Sequence, residues 1–225
     1  MDLTRPTLVT QMVHEPEIPR IGEEMGGDGA VLAEQLQRAH QAAETARLVI
    51  LVEGVSDQRA VEALARLRRR DLEKEGVVVI PIAGATNIGR FLDLLGPGGY
   101  DLRLAGLCDE GEESQFGMAL ERAALGSSLD RHGLAELGFF VCVRDLEDEL
   151  IRALGVDAML SLIESQRQLR RFRSFQNQPA QSHKSTEEQI WRWLGNHKIR
   201  YAPLMVEALS PDRVPAPLHE VLTRV

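Results

Sequence analysis

LVILVEGVSDQRAVEALA, residues 48–65, reads as a buried strand that enters an amphipathic helix through a turn carrying two acids, Glu53 and Asp57. Five successive aliphatic residues leave no polar side for solvent, the pattern of a strand covered on both faces. The same unit recurs. VVVIPI (77–82), LRLAGL (102–107) and FFVCV (139–143) are short apolar runs, and helical stretches run from Ser56 to about Glu75, from about Thr86 to Leu95, and onward from about Ser114. Strands alternating with helices predict an α/β fold, doubly wound around a mainly parallel sheet of about four strands.

On the N-terminal side, residues 1–29 carry prolines and the run GEEMGGDG without a sustained apolar period, which predicts a flexible lead-in. Ala30 to Arg47 is an alanine-rich polar helix. On the C-terminal side come DLEDELIRALG (145–155), a helical run from Val156 to about Phe172, and a polar loop from Ser174 to Ser185. TEEQIWRWLGNHKIRYAPLMVEAL (186–209) then reads as two helices meeting near Gly195. The expected organisation is an N-terminal segment and lead-in helix (1–46), an α/β core (47–155) and a helical C-terminal extension (156–225). No internal repeat is detectable.

A length of 225 residues suits one core with appended segments. With 44% hydrophobic and 27% charged residues, the composition excludes a disordered tail, and no apolar run is long enough to span a bilayer. The opening MDLTRPTLVTQMV has no apolar signal core, so a cytoplasmic protein without membrane contact is expected. Cys108 and Cys142 sit singly in apolar runs, fitting a reducing compartment and the role of small buried hydrophobes. A formal net charge of -8 argues against a non-specific nucleic-acid coat, which needs clustered Lys and Arg, but is compatible with acids gathered around a cation.

In open α/β sheets ligands bind at the strand C-termini, and each acidic cluster lies just past such an end. Glu53 and Asp57 follow the first run; Asp109, Glu110, Glu112 and Glu113 the third; Asp145, Glu147, Asp148 and Glu149 the fourth. Taken singly, each has a structural reading. Ser56 is the better candidate for capping its helix, with Asp57 serving both purposes. The acids at 110–113 read as loop charges, and Asp148 with Glu149 as favourable charge at a helix N-terminus. Together at one sheet edge, however, so many carboxylates would repel unless a divalent ion joined them, and all-oxygen ligands favour Mg²⁺ or Mn²⁺.

Five stretches in order resemble the TOPRIM (topoisomerase-primase) domain of the OLD (overcoming lysogenization defect) family of nucleases: LVILVEGVSDQRAVEALA, VVVIPIAGATNIGRFLDLL, LAGLCDEGEE, FFVCVRDLEDELIRALG and HKIRYAPLMVEAL. The resemblance implies a TOPRIM-type sheet flanked by helices and a metal site of Glu53, Asp57, Asp109, Asp145 and Glu147. It also implies that Glu53 and Lys198 are catalytic, the lysine standing beside the scissile phosphate. In the DxD element the second acid is replaced by Gly111, with Glu110 or Glu112 the candidates to compensate. OLD proteins usually carry an ATPase domain ahead of TOPRIM. GATNIGRF (84–91) lacks the Lys-Ser/Thr of a phosphate loop and reads as a tight strand-to-helix turn. A stand-alone TOPRIM protein, with an ATPase partner in trans, is the expectation.

The function so implied is metal-dependent cleavage of nucleic-acid phosphodiesters, with DNA the expected substrate; the alternative is a non-catalytic TOPRIM module that binds nucleic acid or a partner ATPase. Two arginine runs offer a grip. One is Arg66, Arg68, Arg69 and Arg70; the preferred one is Arg167, Arg170, Arg171 and Arg173, where Phe172 and Phe175 interleave aromatic surface as single-strand binders do. By default either run is a solvated helix face. Pairing of the lead-in helix with a second copy would give a homodimer. Neither Tyr100 nor Tyr201 has the surroundings of a topoisomerase nucleophile.

Overall fold

The structure, a computed structural model, describes residues 27–224. Most of the lead-in expected to be flexible therefore lies outside the described residues. The elements in order are α1 (Gly27–Ala43), β1 (Leu48–Val52), α2 (Val55–Leu67), β2 (Val77–Pro81), α3 (Ile88–Leu95), β3 (Arg103–Asp109), α4 (Glu113–Arg122), α5 (Arg131–Leu137), β4 (Phe139–Cys142), α6 (Leu146–Leu154), α7 (Val156–Ser165), α8 (Leu169–Gln176), α9 (Thr186–Leu194), α10 (Lys198–Glu207) and α11 (Ala216–Thr223).

The four strands form one parallel sheet in the order β2-β1-β3-β4. Alternation along β1 sends Leu48, Ile50 and Val52 to one face and Val49 and Leu51 to the other, all at most 4% exposed. The first face is covered by α2, α6, α10 and α11, the second by α1, α3, α4 and α5. Gly106 in β3 is required by this packing, since a Cβ there would lie 2.7 Å from Leu51 O and 2.7 Å from Phe139 Cδ1.

Strand order places the site. The chain leaves β1 for β2 on one side, and β3 then enters on the other side of β1. The helices after β1 and β3 diverge to opposite faces, opening a crevice beyond the carboxyl ends of these two strands. Glu53 and Asp109 stand at its two lips.

Several boundaries differ from the sequence reading. α2 ends at Leu67 and not near Glu75. Three adjacent arginines crowd like charge there, Arg69 turns into the left-handed region (φ 57°), and Arg70 binds Glu75 and Leu222 O instead of continuing the helix. The single helical run from Val156 is two helices, broken where Arg167 adopts φ 56°. Helix α8 extends into the expected polar loop, which also contains a 3₁₀ turn, Pro179–Gln181. Helix α11 was not anticipated; Pro215 precedes it, and Leu218, Val221 and Leu222 are buried on the sheet's first face. The lead-in helix α1 packs on α3 and β2 of its own chain, burying Ala39 and Ala42.

Candidate metal centre

Glu53 directly follows the end of β1, and Gly54, with extended backbone, is the residue from which α2 starts. The expected cap, Ser56, does not cap this helix. Instead Asp57 reaches back, its Oδ2 accepting from Gly54 N at 2.9 Å, which positions the acid over the first turn and toward the crevice. From the neighbouring loop, Gly84 N donates to Glu53 O at 3.1 Å. Ala83 holds φ 57° and Gly84 φ 102° in that loop, and both line the crevice. Residues 84–87 form the tight turn expected of GATNIG, with Asn87 Nδ2 donating to Ala83 O at 2.7 Å.

At the crevice floor a pocket of about 330 Å³ is lined by Glu53, Asp57, Asp109, Glu147 and Lys198, with Gly54, Ser56, Ala83 and Gly84. Strand ends distant in sequence thus place acids around one space, and α10 adds a lysine across from them. Lys198 Nζ donates to Glu147 Oε2 at 2.8 Å and approaches Asp145 Oδ2 at 3.5 Å. Glu147 is 2% exposed and Asp145 5%.

Asp145 differs from the other acids in being engaged on both oxygens. Its Oδ1 accepts from Asp148 N at 2.7 Å, capping α6, and its Oδ2 accepts from Trp191 Nε1 at 2.8 Å. Arg144 stacks over Trp191 with its guanidinium carbon 3.5 Å from the ring centroid and pairs with Glu188 at 2.8 Å. The tryptophan was missed in the sequence. Its signal was the pair Trp191 and Trp193 on one helix, two residues apart and so unable to share a face: Trp193 fills the core, and Trp191 turns to Asp145.

The surplus acids separate. Glu110 and Glu113 turn to Arg131, at 3.1 and 2.5 Å, leaving the pocket. Glu112 remains close enough to Glu53 to be its strongest like-charge neighbour.

Electrostatically the acids are frustrated. Burial, then the charge of Glu147, pushes Asp57 up to about 7 in spite of the Gly54 hydrogen bond. Burial, then Glu53, pushes Asp109 up to about 8. Glu53 is also raised, by burial and then by Glu112. For Lys198, burial works against the charged form, but Glu147 and Asp145 outweigh it and hold the ammonium protonated.

Two buried carboxylate oxygens, Glu53 Oε2 and Glu147 Oε1, have no hydrogen-bond partner among the described residues. Orphaned acceptors of this kind are costly, and a hard cation is the ligand that suits them, so the donor set fits a divalent ion. Among the described residues no three acids, histidines or cysteines are already drawn to coordination spacing. The charge of a bound ion would offset the mutual repulsion of these acids.

The arginines expected to grip nucleic acid are not part of this centre. Arg170, Arg171 and Arg173 lie exposed on α8 and Arg167 in the break before it, and none lines the pocket. The interleaved aromatic surface is not there either. Phe172 is 0% exposed and packs edge-on against Trp193, while Phe175 stacks on Phe172 from the half-buried layer above. Among the described residues no helix is long and apolar enough to cross a membrane.

A parallel sheet with its order reversed between β1 and β3, and an acidic pocket at that reversal, defines a doubly wound α/β domain with a switch-point carboxylate site. Residues 45–110, which hold β1 to β3 and the acids Glu53, Asp57 and Asp109, match the family model of the overcoming lysogenization defect protein-like TOPRIM domain. Two solved structures share the fold. The C-terminal region of the Xanthomonas campestris pv. campestris OLD protein is 24% identical, with 80% of this chain and 92% of that chain covered at a TM-score of 0.64. The C-terminal region of the Burkholderia pseudomallei OLD protein is 21% identical, with 79% and 96% covered at a TM-score of 0.61. A search of curated proteins finds no match.

Proposed function

We propose that this chain is a divalent-metal-dependent nuclease that hydrolyses nucleic-acid phosphodiesters, with DNA the expected substrate. The observation that carries the reading is the pair of partnerless buried oxygens, Glu53 Oε2 and Glu147 Oε1, in a pocket that also holds Asp57, Asp109 and Lys198. An Mg²⁺ or Mn²⁺ bound there would supply an acidified water and neutralise phosphate charge. Glu53, Asp57, Asp109 and Glu147 are the proposed donors. Glu112, beside Glu53, takes the place of the acid missing at Gly111. Lys198 offers its ammonium to the phosphoryl oxygens, where charge builds in the transition state. Asp145, already bound by Trp191 and Asp148, serves to hold Lys198 and α6 in position more than to ligate.

Supercoiled plasmid incubated with Mg²⁺ or Mn²⁺ is expected to be nicked or linearised, and Glu53→Ala is expected to stop it. Intact plasmid with both metals and a folded protein would reject the reading. A second reading, a non-catalytic module, draws support from Gly111 and from Lys198 already neutralising Glu147 at 2.8 Å. Calorimetry separates the two, because the module predicts one weak metal site or none, and no turnover.

A further inference from the structure

Beside the acid pocket runs a second, larger depression of about 1010 Å³, formed where α10 lies along α2. Ser56 and Lys198 line both spaces, so the groove opens directly onto the candidate centre. Its charge is opposite to that of the chain. Arg59, Arg66, Lys198 and Arg200 face it against one acid, Glu207, in a protein of formal net charge -8. Arg59 has no ion pair or side-chain hydrogen bond among the described residues; Arg66 meets Glu207 only at 3.9 Å with both side chains more than half exposed; Arg200 donates to neutral Gln166 at 2.8 Å. These guanidinium groups are free to take phosphates.

The groove also has an apolar element. Two of the large apolar side chains that the fold leaves exposed, Val55 (36%) and Ile199 (49%), stand in it. Aliphatic surface flanked by arginines suits sugars and unstacked bases between phosphates. A pocket of about 330 Å³ at its end is at the small limit for ligand sites, roughly 300–1,000 Å³, a size that suits one phosphate of one strand at a time.

From this juxtaposition we infer that the α2–α10 groove is the track of a single phosphodiester strand, with Arg59, Arg66 and Arg200 on its phosphates and Val55 and Ile199 against its bases, delivering the strand past Lys198 to the acids. The inference deepens the nuclease reading and rests on it for the direction of the track, but binding in the groove requires no metal.

The test is fluorescence anisotropy of labelled single-stranded DNA and RNA oligonucleotides in EDTA across a salt series, with Glu53→Ala as the parent. Arg59→Ala/Arg200→Ala is expected to weaken binding roughly tenfold and to flatten the slope of log affinity against log salt by about 1.4, or about 0.7 per lost phosphate contact on a single strand. Both arginines are exposed, so an unchanged urea midpoint is expected to show intact folding. Arg170→Ala/Arg171→Ala/Arg173→Ala on α8 is expected to retain the parent slope. A double variant with the parent's affinity and slope, a loss that appears only in the α8 variant, or a parent that binds neither oligonucleotide overturns the inference. Of the DNA and RNA arms, the tighter one identifies the sugar. Plasmid left intact by the unmutated protein, with Arg59/Arg200-dependent binding preserved, rejects the nuclease and leaves the groove; nicking with an unaltered salt slope does the reverse.

Discussion

Trp191 reaches Asp145 from 46 residues away, and one indole N–H at 2.8 Å ties α9 to the start of α6, beside the lysine. A hydrogen bond to a charged acceptor contributes about 1.5–3 kcal/mol, less where solvent reaches it as at this half-buried ring. Trp191→Phe keeps most of the bulk and removes the donor, so we expect a loss of about 1–2 kcal/mol in urea unfolding and a larger proportional loss of nicking than of oligonucleotide affinity. Equal losses would make Trp191 merely structural. The raised acids give a second prediction. Burial pushes Asp57 and Asp109 up to about 7 and about 8 from an ordinary 3.8, so the folded chain binds protons that the unfolded chain has released. Their contribution to stability is complete below about pH 4 and disappears as pH rises through 7 and 8. A divalent ion must displace those protons, so Mn²⁺ should raise the melting temperature little at pH 6 and most near pH 9, and by calorimetry in buffers of different ionisation enthalpy its binding should release up to about two protons per molecule at pH 6 and almost none at pH 9. A metal shift independent of pH would remove Asp57 and Asp109 from the donor set.

At the scale of elements, the close approach at Gly106 is the most demanding point of the sheet. Gly106→Ala sets a Cβ 2.7 Å from a backbone oxygen of β1, which cannot move without opening the β1–β3 pair that forms the crevice. Overpacking of this kind costs about 1–3 kcal/mol, and because the strain falls on both lips of the site we expect metal affinity to fall with the chemical-denaturation midpoint. Unchanged midpoints would show that the sheet can shift there. The strands themselves were legible because a doubly covered strand must be aliphatic throughout: LVILV is β1 without an error of one residue. Helix ends were less so, since the breaks at Arg69 and Arg167 depend on backbone turned to φ 57° and 56° by tertiary contacts, which no periodicity records. Among the site residues, Glu53 and Asp109 could be placed from strand ends alone. Lys198 came only from resemblance, and Trp191 and the Arg59–Arg200 groove depend on how α9 and α10 fold back over α2 and α6. Phe172 misled because RRFRSF is amphipathic, and an aromatic residue among arginines reads alike whether it faces a base or the core.

For the molecule as a whole, the expected boundary at residue 156 meets a continuous core. Tyr201, Met205 and Leu218 from the C-terminal helices are 0% exposed and lie in one apolar cluster with Ile50, Val61 and Leu64. If that cluster is one cooperative unit, the extension that carries Lys198 cannot melt separately from the sheet that carries Glu53. Both tryptophans lie in α9, so their fluorescence reports the C-terminal helices alone, whereas far-UV circular dichroism reports every element. Met205→Ala removes a fully buried side chain between α10 and the sheet and should cost about 2–5 kcal/mol. We expect the two probes to move to lower urea together, with coincident midpoints before and after substitution. Fluorescence shifting ahead of the dichroism would mean that α9 to α11 detach while β1 to β4 stay folded. Lys198 would then be a removable part of the site, and the acids would have to hold their places without it.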